Sequence, residues 1–390
     1  MDILNPETIR LRSKNIFDGV ESSDSNCFKL DRSAMQYASD EVIKLTRKNY
    51  PDLNVPYHSR WRHFEVDGED LSAPILHNTE YRLAAEIELA IISVLMDAGA
   101  GKDWLYHDEN THKKYSRSEG LAIASLHGFA RGLFSSRPDD LSRVDGRALA
   151  SLSPQSLASC FQASDNNPLV GLDSRASLLN RLGDYIIQQQ GSDARLADLF
   201  PALTHAQDTI QASEILRAVL LATGSIWPHS KTIGATVVAD VWQHRNAGGD
   251  GENAGYVPFH KLSQWLSYSL LEPLERHQIE VKGLEQLTGL PEYRNGGLFI
   301  DTGVLIPLHK DYAANSYSVH SEFVVEWRAL TVILLDRLAT TVREELKLTE
   351  TDLPLAAILQ GGTWAAGRSL AQSKRNGLPP VDVISDGTVF

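Results

Sequence analysis

The residues best suited to chemistry lie in one stretch, Tyr293–Arg328, which reads YRNGGLFIDTGVLIPLHKDYAANSYSVHSEFVVEWR. Asp301 sits there among Phe299, Ile300, Val304, Leu305 and Ile306, so its surroundings are expected to be half dry. A carboxylate so placed is either a hydrogen-bonded anchor or a reactive group whose pKa its surroundings perturb. As an anchor it would accept backbone N–H bonds from the Thr302-Gly303 turn and do nothing else. Further on, Glu322 and Glu326 stand four residues apart, on one face of an expected helix. Both acids either pair with Arg328 and solvent or converge with Asp301. Acids converging from a turn and a helix suit chemistry on a developing positive charge.

A second group, Pro56-Tyr57-His58-Ser59-Arg60-Trp61-Arg62-His63-Phe64, mixes rings that stack with side chains that donate hydrogen bonds. His58, Arg60 and Arg62 beside Trp61 fit a sugar-phosphate or carboxylate ligand, or else form a surface turn whose aromatic rings point inward. In Tyr256–Trp265, His260, Lys261 and Gln264 fall at a helix start, where a lysine reinforces the anion preference of free backbone N–H groups. The alternative there is an amphipathic helix with a solvated lysine. Small residues around Trp364 in Gly361–Arg368 permit close backbone packing or ligand approach. The end of the chain, Ser385–Phe390, is expected to fold back onto the body. His309, His320 and Glu322 are a conceivable metal set of unspecific spacing, and no metal or other cofactor is expected. GxSxG, HExxH, CxxC and strand-linked GxGxxG motifs do not occur.

The elements that must position these groups are mostly helices. Thr79 is placed to cap a helix with an apolar stripe from Leu83 through Leu95, ended by Gly99 and Gly101. Ser116 opens a second, Ser153-Pro154 a third, and Asp173 or Ser174 caps a fourth that closes near Gly191. Further helices are expected at about 205–222, 259–275 and 321–346. Two short apolar runs, Phe299–Ile306 and Val381–Ile384, are expected to be extended. The fold expected is mainly α: a large helical domain with a small β component. It is read as a single unit over residues 1–390, with lobes 1–145 and 146–390 flanking a cleft.

The 390 residues are 42% apolar and 22% charged, with a formal net charge of −13. That balance suits a soluble globular chain and argues against nucleic acid as a partner, since phosphate backbones need a basic stripe. The cysteines, Cys27 and Cys160, are too far apart in sequence for a metal motif, which suggests a reducing cytoplasm rather than a disulfide framework. The N-terminus is polar, and the longest apolar run, Leu89–Met96, is too short to cross a bilayer, so no membrane partner is expected. Oligomeric state is not legible.

The segments NYPDLNVPYHSRWRHFE, NPLVGLDSRASLLNRLG, YVPFHKLSQWLSYSLLEPL, NGGLFIDTGVLIP, SEFVVEWRALTVILLDRL and LQGGTWAAGR resemble the uracil catabolism protein 4 family of fungi and bacteria, from about residue 8 to the end. The resemblance implies a place in pyrimidine degradation, where uracil becomes a nucleotide, its ring is opened, and a ribosyl-urea species is later broken down to urea. A looser likeness links His260-Lys261-Leu262-Ser263-Gln264 and Phe299-Ile300-Asp301-Thr302-Gly303-Val304 to the queuosine-salvage nucleosidases, whose fold is similar to helical DNA glycosylases. It implies Lys261 as a phosphate ligand and Asp301 as the catalytic carboxylate. The expected activity is hydrolysis of the N-glycosidic bond in a ring-opened uridine derivative, ribosyl-urea or its 5′-phosphate, so the partner is a small nucleoside or nucleotide derivative. Glu322 would assist Asp301, and His58, Arg60, Trp61, Arg62, Lys261, Gln264, Phe299, Glu326 and Arg328 would hold substrate. The rival readings are a metal-dependent amidohydrolase of the same route and a non-catalytic nucleotide-binding or scaffolding protein.

Overall fold

Apolar stripes at helical spacing become the long helices of a computed structural model that describes residues 2–77, 79–97, 99–206 and 208–384. The main helices are α1 (Pro6–Glu21), α2 (Met35–Asn49), α3 (Arg82–Leu95), α4 (Arg117–Ala130), α5 (Leu172–Gln190), α6 (Ala212–Thr223), α7 (Lys261–Arg276), α8 (Tyr293–Asp301), α9 (Glu322–Leu346) and α10 (Trp364–Arg375). Strands appear only as two-stranded pairs, so the protein is mainly α. Among the described residues no helix is long and apolar enough to cross a membrane, and Cys27 and Cys160 are free thiols.

The 25-residue α9 is buried along most of its first five turns. Ser321 starts it by accepting a bond from the Val324 N–H, and α1 packs against its side. Helix α7 is just as enclosed, with Tyr268, Leu270, Leu271 and Leu274 inaccessible to solvent. One contiguous apolar core joins residues from Ile3 to Val381.

Helix starts at Ser116, Ser153 and near residue 321 agree with expectation, and Gly191 closes α5. Others differ. Helix α3 begins at Arg82 without a side-chain cap, not at Thr79. Helix α5 starts from Gly171 in the left-handed region at φ 74°, which relieves Asp173 of the capping role. The helix expected from about 205 begins at Ala212, because Thr209–Gln211 pairs in parallel with Glu280–Lys282.

The largest correction concerns Phe299–Ile306. Its first half is the end of α8, and only Leu305–Pro307 is a strand, antiparallel to Phe28–Leu30. Gly296-Gly297 serves packing: a Cβ on Gly296 would stand 2.7 Å from the Trp327 ring, and one on Gly297 3.1 Å from Pro380. Asp301 is therefore the last residue of a helix, not part of a turn. Near the end of the chain, Asp382–Ile384 is a strand parallel to Ser316–Ser318. The fold-back expected of Ser385–Phe390 lies outside the described residues.

Candidate functional site

A cavity of about 480 Å³ opens beside Trp364 of α10, where α4, α7 and α8 begin and α3 ends, closed on one side by the segment Gly377–Val383. Its size is typical of small-molecule sites. Each wall contributes a chemically distinct group.

Asp97 lies just beyond the C-terminus of α3, where the helix dipole disfavours a carboxylate. Arg60 compensates. Its guanidinium is fully buried, donates to Asp97 Oδ2 at 2.9 Å and to Ser93 Oγ at 2.6 Å, and lies 5.7 Å from the Trp265 ring centre. Burial pulls the Arg60 pKa down, and Asp97 is the main charge opposing that. No hydrogen bond to Asp97 Oδ1 occurs among the described residues.

Glu292 caps α8. Its Oε2 accepts from the Arg294 N–H at 3.0 Å and its Oε1 from the Asn295 N–H at 2.6 Å. Lys261, the first residue of α7, gives its backbone N–H to Asp240 Oδ2 at 2.9 Å and sends its side chain to the cavity. Burial lowers the Lys261 pKa, with Glu292 the largest charge acting the other way.

Aromatic groups line the interior. His58 lies 6.2 Å from Trp265 and 5.9 Å from Trp364, ring centre to ring centre. Its Nδ1 is 2.9 Å from Gln360 Oε1, a carbonyl that only accepts, so Nδ1 carries the proton and Nε2 is an acceptor. Burial pulls the His58 pKa down to about 4, so the ring is neutral near pH 7. His63 is held well below its ordinary value, again chiefly by burial. The Arg294 guanidinium stacks 4.0 Å from the centre of Trp364.

Three helix N-termini open on this space, and they are not equivalent. Asp240 satisfies that of α7, where His260 is left-handed at φ 49°, and Glu292 satisfies that of α8. Helix α4 has no side-chain cap, and its first residue, Arg117, is held at φ 52°.

Of the residues expected at the site, His58 and Lys261 line the cavity, and Arg60 stands directly behind it against Asp97. The rest are elsewhere. Trp61 is core and donates its indole N–H to the Ser269 carbonyl at 2.8 Å, while Arg62 pairs with Glu272 and Glu65. Gln264 accepts from the Thr288 N–H, and Phe299 is wholly buried. Arg328 forks onto Asp240 at 2.6 and 2.7 Å. Asp301 is not a cavity wall: both its oxygens bind Arg375, at 2.8 and 2.5 Å, and its carbonyl accepts from Lys374. That clamp ties α8 to the end of α10, immediately before the cavity segment Gly377–Val383.

Glu322 pairs with Arg245 at 3.2 Å on the surface, and buried Glu326 accepts from Ser25 Oγ. With His244 they form the cluster of ligand-type spacing found among the described residues, which includes neither His309 nor His320. Its chemistry suits a metal poorly. His244 Nδ1 accepts from the Asn246 N–H at 3.1 Å, so the proton is on Nε2, the nitrogen 3.4 Å from Glu326. The ring thus presents a donor to the carboxylates where a metal needs a lone pair.

Asp97, Glu292, Arg294 and Arg117 lie outside the set of residues that the sequence points to. Asp97 had a signal: an acid at the wrong end of an apolar helix. Glu292 stands one residue before Tyr293 and follows Pro291, an ordinary capping position. Nothing local marks Arg117.

Comparison with known proteins adds family relationships to this geometry. The family described as a protein of unknown function, DUF1688, matches residues 2–390. The chain is 36% identical to Protein urg3 of Schizosaccharomyces pombe over 404 residues, covering 100% of this chain and 98% of the relative. It is 34% identical to Uracil catabolism protein 4 of Lachancea kluyveri over 429 residues, covering 98% and 97%.

Proposed function

The chain belongs to the DUF1688 family, and from that membership and the cavity we propose that it is an enzyme of uracil breakdown that hydrolyses the N-glycosidic bond of a ring-opened uridine derivative. The observation that carries this reading is the meeting of Asp97, Glu292 and Lys261 in one aromatic-walled cavity. The substrate class is ribosyl-urea or its 5′-phosphate.

Cleavage of the ribose C1–N bond leaves its electron pair on the departing urea nitrogen and positive charge on the sugar ring. Asp97 faces that charge, and its Oδ1 is the acceptor for a proton of the attacking water, whose oxygen bonds to C1. The urea nitrogen takes up one proton, so water and ribosyl-urea give urea and free sugar. Lys261 donates to the urea carbonyl as negative charge grows there, and the nearby Glu292 carboxylate favours its charged form. His58 Nε2 accepts from a ribose hydroxyl or a urea N–H. Trp265 and Trp364 keep bulk water from the cation. Asp301 has a positioning role in this scheme, through Arg375 and the C-terminal wall.

The test is incubation of the purified protein with synthetic ribosyl-urea and with its 5′-phosphate, with urea and free sugar measured together. Equimolar release of both is expected. Failure to release urea from either compound overturns the proposal, and attack on the carbonyl without free sugar supports the amidohydrolase instead.

A further inference from the structure

We propose that the cavity takes its substrate as a phosphate monoester, with the phosphate held at the start of α4 by Arg117, Ser118 and the uncapped backbone N–H groups, and with Lys102 and Arg294 beside it. This rests on the cavity being the substrate site and decides between the two substrates named above.

The argument begins from charge. The chain carries −13 overall, yet four cationic side chains, Lys102, Arg117, Lys261 and Arg294, line this one cavity. Ion pairs occupy most other arginines of the interior, but these four form none among the described residues. Of the three acids on the same wall, only Asp97 is neutralised, by Arg60. Glu292 and Asp382 bond to the α8 amides and Ser316 and keep their charge, which leaves four cationic groups against two anionic ones. An excess of positive charge is left facing the space. A carboxylate ligand supplies one negative charge, whereas a phosphate monoester supplies about 1.5 to 2 near neutral pH and several strong acceptor oxygens.

The helix termini say where that charge belongs. Those of α7 and α8 are closed by Asp240 and Glu292, while the 14-residue α4 has no cap and carries Arg117 and Ser118 on the cavity wall. Helix N-termini with free N–H groups favour phosphate. Arg117 reaches its position only through the left-handed region, at φ 52°, an arrangement that costs about 1 kcal/mol or more and persists where the surroundings impose it.

An independent observation identifies the rest of the ligand. His58 is 6% exposed, lines the cavity, and its acceptor Nε2 has no partner among the described residues. Facing the cavity, this nitrogen is placed to accept from a hydroxyl or amide N–H of a ligand. A sugar phosphate supplies both halves: oxygens for the cations and hydroxyl or amide protons for His58.

Titration calorimetry with ribose 5-phosphate and with ribose tests this directly. Ribose 5-phosphate is expected to bind at least 100-fold more tightly than ribose. Arg117→Asn removes the charge but tolerates the left-handed backbone, and should weaken ribose 5-phosphate by about 10- to 100-fold, the loss of one charge-assisted contact. Arg117→Lys should recover part of it. Equal affinity for the two sugars, or Arg117→Asn binding ribose 5-phosphate as wild type does, overturns the subsite. Turnover separates this from the proposed reaction. Equal cleavage of ribosyl-urea and its 5′-phosphate refutes the subsite and leaves the N-glycosidase standing. No cleavage of either, with the phosphate preference and the Arg117→Asn loss intact, refutes the reaction and leaves the subsite standing.

Discussion

Asp97→Asn separates catalysis from folding at the carboxylate that bears both. Arg60 is 0% exposed and its counter-charge lies 2.9 Å away on Asp97. Removing one partner of a buried pair costs about 3–5 kcal/mol, because the remaining charge is left unmatched in a dry site. A chain of 390 residues that unfolds as one unit has an unfolding entropy of about 0.8 kcal/mol per kelvin. The substitution should therefore lower Tm by about 4–6 °C. The double variant Arg60→Met/Asp97→Asn removes both charges and should regain most of that loss. Catalysis should not recover with it. Losing the carboxylate that stabilises the sugar cation and takes the water proton should reduce kcat by about 10²–10⁴-fold in both variants, equivalent to about 3–5 kcal/mol of barrier. Single-turnover urea release from ribosyl-urea 5′-phosphate, measured alongside thermal melts, reads both quantities. If either variant keeps more than about a tenth of the wild-type rate while melting as described, Asp97 is not the catalytic carboxylate.

Asp301→Asn should behave differently: Arg375 is 26% exposed and can rehydrate, so about 1–3 kcal/mol of stability is lost. Its kcat at saturating substrate should stay within about threefold while KM rises, and a 100-fold fall in kcat would return Asp301 to the chemistry. Stability should also depend on His58, whose folded pKa of about 4 lies below the ordinary 6.5. Between those values the unfolded chain holds the proton and the folded chain does not, so stability rises with pH through the window and is lost as pH falls through it, by up to about 3 kcal/mol. Urea unfolding of the wild type and of His58→Phe at pH 7, 5.5 and 4.5 should show a shallower slope in the variant, and parallel curves would contradict the burial assigned to His58. Gly367→Ala would put a Cβ 2.1 Å from the Arg294 carbonyl oxygen, where α10 meets α8. It should cost about 1–3 kcal/mol by overpacking and weaken ribose 5-phosphate binding by moving Arg294 and Trp364, so an unchanged melt and affinity would refute that close approach.

The sequence by itself determined the helical class, the starts of α4, α7 and α9, and two members of the cavity. His58 and Lys261 are legible because proline-bounded aromatic clusters and helix-start lysines are local features, carried by neighbours within a turn or two. Asp97 was legible in principle, since an acid beside the C-terminal end of an apolar helix runs against the dipole and needs a distant cation. Tertiary structure alone decided which acid meets which base. Asp301 and Asp97 look alike on paper, each a lone carboxylate beside apolar residues. Arg375, 74 positions away, occupies both oxygens of the first, whereas Oδ1 of the second, paired with Arg60 through Oδ2, accepts no hydrogen bond among the described residues. Likewise Arg328 looks available for a ligand until Asp240, 88 positions distant, takes up its fork. A carboxylate's neighbours in the chain set how dry it is. Its work depends on the cation that packing brings within about 3 Å, and that partner is fixed by how the helices dock.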